Sequence, residues 1–305
     1  MSDRCSILIR VEAESDATGT GYVRADEILP GFVASAVGYA SDDAQPTLHR
    51  GLPSAHLTFI FSLADPVVTG WTPEHATGSD PFRNLVLLGG LHTSPAFVVP
   101  DPSQRGIQIS VHPLAARALF GAPTRELALL VDGPAVLGAE VERIRTRMLE
   151  ATTWPARFAI LRDYLRHQVD GRSRRREQVR PELVEAWRWL AWHRGAGSMD
   201  GLAAHVHLSP RQLRALFTRE VGIGPKQVSR LMRFSTATSR IAYAVAAGRT
   251  PDLAGIAAHC GYFDHSHLDR DFAQFAGISP RGWIAEERRN IQDGGHRNGE
   301  ALTHE

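Results

Sequence analysis

The stretch IAAHCGYFDHSHLDRDFAQFAGISPRGW, Ile256 to Trp283, decides how the chain is read. Its opening IAAH, ending at His259, repeats LAAH from Leu202 to His205 at an offset of 54. Past the next turn the offset becomes 55 and holds, pairing Leu213 with Leu268, Phe217 with Phe272, Gly222 with Gly277 and Pro225 with Pro280. One residue added in the second turn accounts for the change, so one structural unit is present twice. In the first copy Met199 to Val206 reads as a short apolar helix and HLSP as a turn. Ser209 is placed to cap a second helix with Pro210 at its first position, and Gly222 ends it. Leu213, Leu216 and Phe217 share that helix's buried face, leaving Arg211, Gln212, Arg214, Ala215 and Thr218 outward. In the second copy Leu253 to Cys260 is the first helix, GYF the turn and Asp264 the cap. Leu268, Phe272 and Phe275 face inward there, and His265, Ser266, His267, Asp269 and Arg270 outward. Each copy has the anatomy of a helix-turn-helix.

Between the copies the pattern QVSRLMRFSTATSRIAYAVA, Gln227 to Ala246, predicts a helix of about 20 residues and about 30 Å. Successive major-groove faces of B-DNA lie about 34 Å apart, so a stiff spacer of this length suits two reading helices on one side of a duplex. Arg230, Arg233 and Arg240 lie along it, where they would neutralise intervening phosphates, a positional role that carries no sequence information.

These residues resemble the DNA-binding domain of the AraC/XylS-type transcription regulators. The family pattern of an apolar helix, a Gly-aromatic turn, a recognition helix with Arg and Phe two apart, then Gly-x-[ST]-Pro is met by Gly261, Tyr262, Arg270, Phe272, Gly277, Ser279 and Pro280. The likeness covers about residues 182 to 290. It implies a sequence-specific DNA-binding regulator whose partners are double-stranded DNA, RNA polymerase, a small-molecule effector and a second copy in a homodimer. One departure stands out: Asp269 and Asp271 flank Arg270, making the second unit less basic than the first.

The candidate DNA-binding residues are Arg211, Gln212, Arg214 and Thr218 in the first unit, His265, Ser266, His267, Asp269 and Arg270 in the second, and Arg230 and Arg233 between them. Arg suits bidentate contact with guanine. The competing account is a solvated helix face, with Asp269 holding Arg270 as a surface ion pair; a third account has Asp269 accepting from cytosine. His205-Val-His207 and His265-Ser-His267 have metal-pair spacing but no Cys, Asp or Glu set at ligand spacing beside them, so no metal site is expected.

Upstream, HLTFIFSL from His56, NLVLLGG from Asn84, PAFVVP from Pro95 and GIQISVH from Gly106 are short runs rich in Val, Ile, Phe and Leu that read as strands. The breaks, such as DPVVTGWTPEHATGSDPF, read as loops, and residues 20 to 113 as a small sheet or barrel. PLAARALFG opens a helix at Pro113 and closes it at Gly121. Two helices then close the domain, one with Val141, Ile144, Met148 and Leu149 on its buried face, the other with Phe158, Leu161, Leu165 and Val169. RGIQISVHPLAARALFGAPTRELAL, Arg105 to Leu129, is similar to the divergent, degenerate cupin sensor domains of some family members, which implies effector binding, dimerisation or both. The HxH plus Glu pattern by which cupins hold metal is absent. Phe59, Phe61, Trp71, Phe82 and Phe97 would form the core or line an effector pocket.

The expected fold class is therefore α+β, a β-rich cupin-like N-terminal domain followed by an all-α double helix-turn-helix domain. The expected divisions are a sensor over 1–170, an Arg-rich linker over 171–181, a DNA-binding domain over 182–290 and a disordered tail over 291–305. Residues 1–170 hold 14 basic and 19 acidic residues, and the remainder 20 and 14, so the net charge of +1 conceals a basic C-terminal half. No apolar run approaches the about 20 residues that span a bilayer. The opening MSDRCSILIRVEAESD lacks the apolar stretch of a secretory signal, so a cytoplasmic location is expected. Cys5 and Cys260 form neither a disulfide framework nor a metal cluster. GxxxxGK[ST], GxGxxG and G-x-S-x-G are all missing, so no cofactor and no catalytic residue is expected. Two rivals remain: a cupin-like enzyme with an accessory helical domain, and an effector-independent nucleic-acid-binding adaptor.

Overall fold

The computed structural model describes residues 21–25, 27–42, 48–127, 130–173 and 179–292. Cys5, the middle of the Arg-rich stretch and the tail from Asp293 lie outside these. The first half is built on strands β1 (Gly21–Arg24), β2 (Val33–Ser41), β3 (His49–Gly51), β4 (Leu57–Ser62), β5 (Val67–Gly70), β6 (Phe82–Asn84), β7 (Val86–Gly89), β8 (Ala96–Val99), β9 (Gln104–Val111) and β10 (Leu130–Asp132). They form two antiparallel sheets, ordered β1-β2-β9-β4-β7-β10 and β3-β8-β5-β6. In the larger sheet Phe59 pairs with Leu88 on one side and Ile109 on the other. Leu57, Phe59 and Phe61 are fully buried while Thr58 and Ile60 between them are partly exposed, the period-2 signature of a strand with one closed face. That face is covered by α2 (Ala116–Phe120), α4 (Glu140–Glu150) and α5 (Trp154–Ser173), with Phe120 edge-on to Phe59 at 5.4 Å. The short helices α1 (Pro73–Thr77) and α3 (Gly133–Leu137) sit at strand ends. Gly38 opens β2 to α5, since a Cβ there would lie 2.5 Å from the Trp154 ring.

Two expectations need correction, and one open alternative closes. DPVVTGWTPEHATGSDPF is not simply a loop: VVTG is β5, paired to β8, and Thr72 caps α1 with Pro73 at its first position. Leu149 is 43% exposed, because Val141, Ile144 and Met148 already fill the buried stripe of α4 and Leu149 lies off it. Phe59 and Phe61 are fully buried core residues, 4.6 Å apart.

The second half is helical: α6 (Pro181–Trp192), α7 (Met199–His205), α8 (Pro210–Val221), α9 (Pro225–Ala246), α10 (Leu253–His259), α11 (His265–Phe275) and α12 (Pro280–Gln292). One buried cluster runs from the larger sheet through α4 and α5 into α6, α7 and α8, ending at Val228 of α9. A second gathers the rest of α9 with α10, α11 and α12. The first helix-turn-helix unit thus shares its core with the larger sheet, while the second packs a separate cluster that takes in Ala55 and Leu52 from the segment between β3 and β4. Polar contacts tie both units down. Arg117 of α2 donates to Glu220 of α8 at 2.9 Å. Arg50 of β3 donates to Glu286 of α12 and to the Ala276 carbonyl. No helix among the described residues is long and apolar enough to cross a membrane.

Candidate nucleic-acid interface

Local chemistry sets both reading helices. Ser209 accepts from the Gln212 backbone N–H at 3.3 Å while Gln212 Oε1 accepts from the Ser209 N–H at 3.0 Å, a reciprocal capping box with Pro210 in the first turn. Gly222, at φ +91°, supplies the left-handed residue that stops α8. Leu213, Leu216 and Phe217 are buried, and Arg211, Gln212, Arg214 and Thr218 are exposed. Arg211 and Arg214 stand one helical turn apart on one face, and among the described residues neither has a carboxylate partner. Gln212 is exposed, but its carbonyl oxygen is committed to the cap, leaving only its amide N–H groups for an outside partner.

In the second unit Asp264 caps α11 by accepting from the His267 N–H at 2.7 Å. Ser266 and Arg270 are exposed, and His265, His267 and Asp269 partly so. Asp269 lies 3.5 Å from His265 Nε2, and Arg270 Nε donates to the Ser266 carbonyl, so the Asp269–Arg270 surface pair of the competing account does not form. Asp271 also departs from expectation. It is 1% exposed and turned inward, where it takes Arg230 at 2.6 Å, so only Asp269 reduces the charge of the outward face.

The spacer helix is 22 residues, about 33 Å long. Its arginines have different surroundings. Arg230 is held by Asp271 and Gln274 and lies over the Phe275 ring. Arg233 lies 5.3 Å over the Tyr262 ring and donates to the Gly261 carbonyl. Arg240 is exposed and meets His259. Burial, and then the Arg233 charge, hold the His267 imidazole below its ordinary range; burial, Arg240 and Arg194 do the same for His259.

Sequence reasoning missed the seam between the units. The loop Arg194–Gly195–Ala196 crosses from α6 to α7 with Arg194 at φ +49°. Ser229 of α9 donates to the Gly195 carbonyl at 2.6 Å. Gly261 accepts the loop closely, since a Cβ there would fall 2.5 Å from that of Ala196. The RGAG run after the tryptophan-rich helix was the available signal. Among the histidines with metal-pair spacing, His205 bonds Glu185 at 2.8 Å, and no cluster of three metal-ligating side chains is found among the described residues.

Residues 202–286 match a family model described as a helix-turn-helix domain. This C-terminal part of the chain is a helix-turn-helix domain of the AraC type, a DNA-binding class. No curated protein matches the chain in sequence. Among solved structures it is similar to ToxT from Vibrio cholerae O395, at 10% identity over 82% of this chain and 96% of that one, with a TM-score of 0.47. It is also similar to unsaturated fatty acid bound wild-type ToxT from Vibrio cholerae strain SCE256, at 9% identity over 89% and 97%, TM-score 0.47. The AraC-like transcriptional activator CuxR is a third, at 14% identity over 75% and 88%, TM-score 0.22.

Proposed function

We propose that the chain is a sequence-specific transcription regulator that reads two neighbouring major-groove segments of a duplex, one with α8 and one with α11. The observation that carries this is the pair Arg211 and Arg214, exposed and, among the described residues, without a carboxylate partner, on a capped helix whose other face is buried. Such a helix presents guanidinium forks at fixed positions, which is what recognition of guanine edges requires. Arg233 and Arg240 add positional contacts to phosphates, giving salt-dependent affinity. In this proposal Gln212, Thr218, His265, Ser266, His267, Asp269 and Arg270 complete the reading faces, and Arg230 acts through Asp271.

The proposed divisions are a sensor over 1–170, a linker over 171–181 and the DNA-binding domain over 182–290. The sensor takes a small-molecule effector and RNA polymerase is a partner; the chain pairs with a second copy, works in the cytoplasm and carries out no catalysis. ToxT, to which the chain is similar, is described bound to an unsaturated fatty acid.

The test is selection of bound DNA from a random pool. Because the core of α6, α7 and α8 is continuous with the sheet, it uses the full chain. Two half-sites about ten base pairs apart should emerge. Enrichment of a single half-site, or of none, overturns the reading.

A further inference from the structure

Three side chains from three elements meet where the two reading units join. Arg194 brings Nη1 to 3.2 Å from His259 Nε2, and Arg240 brings Nη2 to the same nitrogen. Arg194 stands in the loop after α6, Arg240 on α9 and His259 at the end of α10, and all three are exposed. Among the described residues none of them has a carboxylate within ion-pair distance.

An unprotonated imidazole nitrogen offers one lone pair, so it accepts from one guanidinium at a time. The second guanidinium keeps its N–H groups open, and two positive charges converge with no carboxylate among the described residues to balance them. A tetrahedral oxyanion with several acceptor oxygens satisfies both forks at once. The geometry is also held in place. The Gly195 carbonyl is tied to Ser229, and a Cβ on Gly195 would lie 2.1 Å from the Ser229 carbonyl oxygen, so the loop before α7 is seated tightly against α9.

The cluster adjoins the second reading face. Arg233, two turns before Arg240 on α9, lies over Tyr262 and donates to the Gly261 carbonyl. Tyr262 also meets the His267 ring of α11 at 5.2 Å in a T-shaped contact. A line of cationic and imidazole groups thus runs from α11 through Arg233 to Arg240, His259 and Arg194.

We propose that this junction binds one backbone phosphate of the duplex between the two major-groove segments, with Arg194 and Arg240 donating to its oxygens beside His259. The inference rests on the DNA-reading function and adds a site that the paired reading helices do not require.

The experiment uses the full chain and its selected duplex. Replacing Arg194→Gln and Arg240→Gln together should make the plot of log affinity against log salt shallower by about 0.9, the value for one phosphate. That corresponds to a roughly eightfold loss at about 0.1 M salt, equal for selected and scrambled duplexes. Arg194→Lys with Arg240→Lys should keep most of the slope, since a point charge suffices for it. In a methylphosphonate scan of the spacer, neutralising one linkage should weaken the unaltered protein as much and cost the glutamine variant nothing further. An unchanged slope in the glutamine variant, or additive losses at every linkage, overturns the proposal. So does calorimetric binding of free inorganic phosphate at this cluster with duplex affinity untouched, which would mark a site for a free phosphoryl ligand. If the glutamine pair fails to fold, the scan on the unaltered protein decides, and a flat scan overturns. A protein that selects paired half-sites while the slope stays unchanged loses only this inference; one that selects no duplex loses the regulator reading as well.

Discussion

Arg50 of β3 and Glu286 of α12, 236 residues apart in the chain, form a two-point ion pair, Nε to Oε2 at 3.0 Å and Nη2 to Oε1 at 3.1 Å. The same guanidinium donates to the Ala276 carbonyl, the C-cap of α11, and lies over the Phe97 ring. One arginine of the smaller sheet therefore holds the second reading unit at two elements. Arg50→Ala leaves that carbonyl and carboxylate without it, at an expected cost of about 2 kcal/mol in denaturant unfolding. Hydrogen exchange should rise in α11 and α12 while α8 stays protected; equal loosening of α8 would show that Arg50 does not act on the second unit specifically.

Arg214→Ala should cost about 1 to 3 kcal/mol in binding and relax preference at one base, and Arg211→Ala should do so at another. Side-by-side selection with each variant measures this. A variant that selects the parental sequence unchanged removes its arginine from the reading set.

Gln212 serves the α8 cap through its carbonyl oxygen, which glutamate also supplies. Gln212→Glu should therefore preserve the melting temperature, whereas Gln212→Ala should lose about 1 kcal/mol. If Gln212 also reads a base through its amide N–H groups, Gln212→Glu should lower affinity with stability intact. Equal affinity in the two proteins would leave Gln212 as a cap alone.

Asp271 is almost fully buried against a guanidinium that is only partly exposed, so removing either charge strands the other. Asp271→Asn is expected to destabilise by about 3 kcal/mol. Arg230→Met should cost a similar amount and leave the salt slope of DNA binding unchanged. A slope that falls by about 0.9 would instead make Arg230 a phosphate contact.

His112 caps the short 3-10 helix Pro113–Ala115, accepting from the Leu114 N–H, and packs on Trp187 of α6 with ring centres 5.2 Å apart. Burial pushes it down from its ordinary 6.5 to about 4. The unfolded chain takes up a proton near pH 6.5 and the folded one does not until about pH 4. Stability is thus fully present above about pH 6.5 and falls as pH drops to about 4, by about 3 kcal/mol in all. His92, also lowered by burial, adds in the same direction. Chemical denaturation between pH 7 and 4 should show a shallower dependence in His112→Asn, and an identical dependence would exclude His112 as a source.

The double unit was legible because its signals are local. A cap at Ser209 or Asp264, a left-handed glycine at Gly222 and apolar residues at helical spacing each act within one or two turns. The four richest strands were legible for the same reason. What escaped was set by distant partners. VVTG becomes β5 only because β8 lies beside it, and nothing within DRDF tells that Asp271 turns inward to a residue 41 positions earlier. Arg194 escaped because its meeting with His259 depends on how the two units pack together.

The buried cluster that runs unbroken from the larger sheet to Val228 puts the boundary between the two cores inside α9, well past the Arg-rich stretch where composition changes. Heat or force should peel away the last helices before disturbing the first reading helix. Grafting this reader onto a foreign partner at the Arg-rich stretch would tear the first unit from its support, whereas a cut within α9 would spare it.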